Sequence, residues 1–152
     1  MANRTSRLLL TMVVMLVLAT LLLAWAVWQQ YRREQSSSEL AVTVTQSVLT
    51  SNSATALIDN AHPDLLARSG SSELDAYLAY VVRRLGQLQS LEAISGGSQG
   101  GWLAGFGEPA SASYTINLQF AAQPATAELD LQQLGGAWLI REFMIAAPAL
   151  NQ

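Results

Sequence analysis

The stretch SYTINLQF, residues 113–120, places Tyr114, Ile116, Leu118 and Phe120 on one face of an extended chain and Ser113, Thr115, Asn117 and Gln119 on the other. Successive side chains of a strand point to opposite faces, so this run predicts a strand with one buried and one solvated face. The run TAELDLQ, residues 126–132, repeats the pattern with Ala127, Leu129 and Leu131 inward and Glu128, Asp130 and Gln132 outward. Gln123-Pro124 connects the two runs and Gly135-Gly136 opens a third, AWLIREFMI, which predicts an antiparallel meander. In the third run Trp138 and Ile140 share one phase and Phe143 and Ile145 the other. Either both faces of that strand are covered or a bulge near Arg141-Glu142 shifts its register. A weaker strand at 88–95, LQSLEAIS, brings the sheet to four.

Upstream of the sheet the period is helical. In SSELDAYLAYVVRRLGQL, Leu74, Tyr77, Leu78, Val81, Val82 and Leu85 form a stripe at i, i+3, i+4, i+7 and i+8 spacing. This predicts a helix over 72–86, capped by Ser71 or Ser72 and ended by Gly86. Leu40, Val44, Val48, Leu57, Ile58 and Ala61 predict an earlier helix over 38–60, broken near Ser51-Asn52-Ser53, with Ser36 to Ser38 as its N-cap. The alternation in AVTVTQSV is a competing strand reading. Between the helices Ala61-His62-Pro63-Asp64 is a turn, where Pro63 ends one helix and suits the first turn of another.

From Leu8 to Trp28 runs LLLTMVVMLVLATLLLAWAVW, uncharged and interrupted only by two threonines. As a helix these residues span roughly 31 Å, the hydrocarbon thickness of a bilayer. Trp25, Trp28 and Tyr31 followed by Arg32 and Arg33 resemble an interfacial anchor. The competing reading is a cleaved signal peptide, with Arg4 and Arg7 as its charged start and Ala24-Trp25-Ala26 as its cleavage pattern. Two arginines flank each side, and the terminal amine tips the N-terminus toward the cytoplasm. The expected organisation is a cytoplasmic N-terminus (1–7), a transmembrane helix (8–28), a juxtamembrane linker (29–37), an α+β domain (38–147) and a tail (148–152). The expected location is a bacterial inner membrane with the domain in the periplasm.

Charge narrows the function classes. Residues 35–152 carry four arginines against ten carboxylates, net −6, and there is no lysine or cysteine anywhere. Nucleic-acid binding, which needs cations to neutralise phosphates, is not expected. Disulfides and thiolate chemistry are excluded. Gly96-Gly97-Ser98-Gln99-Gly100 fits G-x-S-x-G, but His62, the sole histidine, precedes the serine and a parallel sheet does not fit in the chain. Gly105-Phe106-Gly107 with Ala110 lacks a βαβ unit, and a Walker loop needs a lysine. His62-Pro63-Asp64 matches the tripeptide of J-domains, but no basic helix precedes it and sheet follows. One histidine, no cysteine and the outward pair Glu128/Asp130 make a poor metal set. No metal, cofactor or catalytic residue is expected.

The run HPDLLARS…ELDAYLAYVVRRLGQLQSLEAISG, the Gly-rich break, the meander and the closing GGAWLIREFMI resemble the small nuclear-transport-factor-two-like or cystatin-like domains that bacteria attach to membrane anchors. The resemblance covers roughly 38–147, with Leu85-Gly86 and the Gly-Gly-x-Trp-x-Ile opening of the last strand as its most specific parts. It implies an α+β fold, two helices followed by a four-stranded antiparallel sheet after the transmembrane helix, and a cavity between helix and sheet. Relatives of ketosteroid-isomerase type place carboxylate and tyrosine groups in such a cavity, but the clear inward faces here carry no carboxylate.

Two expectations follow. The first is a non-catalytic interaction or scaffolding domain with the lipid bilayer and an envelope protein as partners, its candidate interaction loop being Trp102, Leu103 and Phe106 in the Gly-rich connection. The second is an apolar small-molecule site lined by Tyr77, Tyr114, Ile116, Leu118 and Trp138.

Overall fold

The computed structural model describes residues 2–99 and 109–150. The element order is α1 (Ala2–Ser51), α2 (Thr55–Asp59), α3 (Pro63–Arg68), α4 (Ser71–Leu85), β1 (Leu88–Gln99), β2 (Ser111–Phe120), β3 (Pro124–Leu134), β4 (Ala137–Ala146) and a short 3₁₀ turn, Pro148–Leu150. The four strands form one antiparallel sheet in the order β1-β2-β3-β4. The chain divides into two compact units, Met1–Arg33 and Glu34–Gln152.

In the first unit, α1 is apolar and uncovered. Its large side chains from Leu9 to Leu23 are exposed, Met12 at 74% and Leu16 at 69%. Among the described residues this is the one helix long and apolar enough to cross a membrane. Arg32 lies over the Trp28 ring, 4.9 Å from its centroid, a cation–π contact of the kind that suits a lipid–water boundary.

In the second unit, the rest of α1 is a core helix. Ser37, Ala41, Val44, Thr45, Val48 and Leu49 recur at helical spacing and are each at most 2% exposed. The expected linker 29–37 is helical, and the helix does not restart at Ser36 to Ser38. The serines do not cap because their hydroxyls turn back along the helix: Ser37 Oγ donates to Glu34 O (3.1 Å) and Ser38 Oγ to Gln35 O (3.0 Å). The break comes where it was expected, with Asn52 at a φ of 53°. The competing strand reading of AVTVTQSV is overturned, since its Val and Thr side chains alternate between core and solvent at helical spacing.

His62 caps α3, its Nδ1 accepting from Asp64 N at 3.2 Å. α4 buries Leu74, Leu78, Val81 and Leu85. Its N-cap is Gly70 in place of the expected Ser71 or Ser72, which lie inside the first turn.

The inward residues stack in rows across the sheet: Tyr114 pairs with Leu129 and Leu129 with Phe143, while Ile116, Ala127 and Ile145 form the next row. β4 keeps both of its apolar pairs on the core face through a bulge. Asp130 pairs with Glu142 and Leu131 with Ile140, which leaves Arg141 as the extra residue. Trp138, Ile140, Phe143 and Ile145 are therefore all buried.

β1 contains two further shifts, at Leu88/Ser90 and Leu91/Ala93. Each inserts one residue, so Leu88, Leu91 and Ile94 meet Phe120, Leu118 and Ile116 on one face despite a spacing of three. β1 also runs beyond the expected 88–95. Gly96 to Gln99, taken in sequence for part of a long connection, pair with Tyr114 to Ser111.

The free edge of β4 is plugged at two residues. Ile140 N–H donates to Asn60 O and Ile140 O accepts from His62 N, both at 2.8 Å. Ile145 N–H donates to Tyr77 Oη (2.8 Å), whose hydroxyl donates back to Ile145 O (3.3 Å). An edge strand whose polar groups are occupied cannot template pairing with another chain at those positions.

Candidate functional site

The structure distributes the five candidate cavity residues along one core. Tyr114, Ile116 and Leu118 project from β2, Trp138 from β4 and Tyr77 from α4; the first four are buried and Tyr77 is half-buried at the margin of the core. Two of them converge on α1. Tyr114 Oη lies 2.7 Å from Ser37 Oγ and 3.3 Å from Glu34 O, while Trp138 Nε1 donates to Ser36 Oγ at 3.1 Å. Ser37 and Tyr114 share the Glu34 carbonyl, so one hydroxyl donates to the carbonyl and the other donates to its neighbour. This polar seam fixes the register of α1 against β2 and β4. Tyr77 belongs to a different part of the core, at the β4 edge.

The hydroxyls of Ser37, Tyr77 and Tyr114 and the indole N–H of Trp138 therefore each have a structural bond, and a buried hydrogen-bonded tyrosine is the ordinary way to place that side chain in a core. Among the described residues, Thr45 Oγ1 and Gln123 Nε2 are the buried side-chain atoms without a hydrogen-bond partner. A shallow depression on the surface of α1 is lined by Gln46, Ser47, Thr50 and Ser51. Glu128 and Asp130 lie exposed on the outer face of the sheet. The described residues contain no group of three or more His, Asp or Glu placed to hold a metal. The candidate interaction loop, Trp102, Leu103 and Phe106, lies outside the described residues.

Sequence reading missed the contribution of Ser36 and Ser37, because serines before an apolar periodic run are the ordinary sign of a helix start. Nothing local distinguishes a cap from a serine that faces a tyrosine 77 residues away.

Burial raises the Tyr77 hydroxyl above its usual range, an effect partly offset by its backbone bond to Ile145. An acid whose folded-state pKa is raised adds stability that is complete below the unfolded value of about 10 and is lost as pH rises through the folded value. Wild-type protein is therefore expected to lose thermal stability above about pH 10 more steeply than Tyr77→Phe, which has no proton to lose there. Equal alkaline slopes in a melting series would contradict the burial of that hydroxyl.

Compared with known proteins, the chain matches no family model, no curated protein and no solved structure.

Proposed function

We propose that the chain is a single-pass, membrane-anchored, non-catalytic interaction or scaffolding protein of a bacterial inner membrane, with the domain from Glu34 onward in the periplasm. The observation that carries this reading is the contrast along α1: large apolar side chains from Leu9 to Leu23 stand exposed, whereas the same helix from Ser37 to Leu49 is core. A helix that is apolar all round has to be covered by lipid or protein. Among the described residues of the domain, Tyr77, Tyr114, Trp138 and His62 form structural bonds. Helices preceding a four-stranded antiparallel meander are the α+β outline that the resemblance to anchored nuclear-transport-factor-two-like or cystatin-like domains implies. The partner in this reading is another envelope protein, and Trp102, Leu103 and Phe106 supply its apolar contact, since aromatic anchors dominate such interfaces.

Orientation and docking are tested together. An alkaline phosphatase fused after the C-terminus is expected to be active, because long domains translocate largely regardless of charge and a short arginine-bearing N-terminus is the easier part to retain. Crosslinking in intact cells should yield a discrete adduct that Trp102→Ala weakens. An inactive fusion would reverse the orientation, and an unchanged adduct pattern in Trp102→Ala would remove the loop from the interface.

A further inference from the structure

His62 is the sole histidine of the chain and is buried. Its Nδ1 stands between two partners that demand opposite protonation states. It accepts the backbone N–H of Asp64 at 3.2 Å, which requires a lone pair, and it lies 3.4 Å from Asp64 Oδ2, which requires a proton. One nitrogen cannot serve both. The cap bond uses the Nδ1 lone pair, so an Nδ1 that carries a proton cannot make it.

From these two distances we infer that His62 is an acid-operated clasp between α3 and β4. Histidine is the side chain whose charge ordinarily changes between about pH 5 and 8. Protonation at Nδ1 converts the acceptor into a donor: the bond from Asp64 N–H breaks, and Nδ1–H donates to the Asp64 carboxylate instead. That carboxylate also faces β4, where Asp64 Oδ2 lies 3.9 Å from Arg141 Nε. Arg68 ties the same two elements together, donating to Arg141 O at 2.7 Å and to Asp64 O at 3.3 Å. Asp64 and Arg68 on α3, Arg141 and Glu142 on β4 and Asp59 on α2 are the ionisable groups of the elements around the ring. Acid therefore removes the first capping bond of α3 and draws its carboxylate from β4 toward the imidazolium. The backbone of His62 carries the change to the sheet, because its N–H donates to Ile140 O.

A single histidine makes the test direct. The full-length chain in detergent micelles, labelled with ¹⁵N-histidine and with ¹⁵N in its backbone, is titrated by NMR. At pH 8 the ring should be protonated at Nε2 and bare at Nδ1. On acidification Nδ1 should gain its proton, and the amides of Asp64 and Ile140 should shift with the same midpoint. Asp64→Asn removes the carboxylate that accepts the new Nδ1–H, so the acid response of the Ile140 amide should shrink. In His62→Asn the side-chain oxygen keeps the cap without a titratable ring, so the fold should persist and the Ile140 amide should no longer respond to acid in this range. A ring protonated at Nδ1 at pH 8, an undiminished Ile140 response in Asp64→Asn, or an Ile140 response that survives in His62→Asn would each overturn the clasp.

Discussion

A chain that starts at Glu34 is expected to fold as a soluble domain, and a chain that starts at Asn52 is not. Residues 34–51 belong to the helix that carries the apolar segment, yet Ala41, Val44, Val48 and Leu49 are core residues at most 2% exposed. Burying a valine or leucine side chain contributes about 1.5–3 kcal/mol, so Val44, Val48 and Leu49 together contribute about 5–9 kcal/mol. Whole domains are stable by only about 5–15 kcal/mol. Losing this helix also opens the face of the sheet that carries Tyr114 and Trp138. A start at residue 38, the boundary the serines suggest, should fold but melt lower than the start at Glu34. It lacks Ser36 and Ser37, and an unmade buried hydrogen bond costs about 1–3 kcal/mol. Thermal melts by circular dichroism and the dispersion of amide resonances decide the matter; a dispersed, cooperatively melting chain from Asn52 would contradict the assignment of α1 to the core.

Gly96→Val should cost at least about 3 kcal/mol, with the damage confined at first to β1. Gly96 has a φ of +119°, which side chains other than glycine rarely adopt. A Cβ there would stand 2.1 Å from Ser113 O and 3.0 Å from the Tyr114 Cα, both backbone atoms of β2 that cannot rotate away. The strand would have to separate from its neighbour beside the seam that holds α1. Gly135→Asn is the matched control. Gly135 and Gly136 have φ values of +59° and +88° in the two-residue turn between β3 and β4, nothing lies within 4 Å of a Cβ at Gly135, and asparagine is at home in such turns. Its stability should stay within about 0.5 kcal/mol of the parent. Equal melting temperatures for Gly96→Val and the parent would show that β1 does not pair with β2 as described.

The two alternating runs were legible because a strand with one wet face writes its period into the sequence, and β2 and β3 bury the residues that alternation assigns inward. The β4 bulge was legible as one of two alternatives, since a phase change between Ile140 and Phe143 has to be absorbed somewhere. β1 read as weak because two inserted residues convert a period of two into the spacing of Leu88, Leu91 and Ile94. Its glycines then read as loop, although a Cβ at Gly96 would run into the backbone of β2 at Ser113 and Tyr114. The continuity of α1 was hidden by serines that bond along the helix and into the sheet. Of the candidate site, the inward positions of Tyr114, Ile116 and Leu118 followed from phase alone, whereas that of Trp138 hung on the two readings of β4. The partners that use their polar atoms did not follow from phase, because Ser36, Ser37 and Ile145 are set by tertiary packing with no local signature.

The claim on which the rest depends is that one helix is both membrane anchor and core element in the mature protein. The most direct test is the intact mass of the chain recovered from alkaline-washed membranes. The account predicts that the protein stays with the lipid fraction and that its mass corresponds to a start at residue 1 or 2. A chain released by the wash, with a mass that begins at Val27, would contradict it and leave a secreted soluble domain in its place.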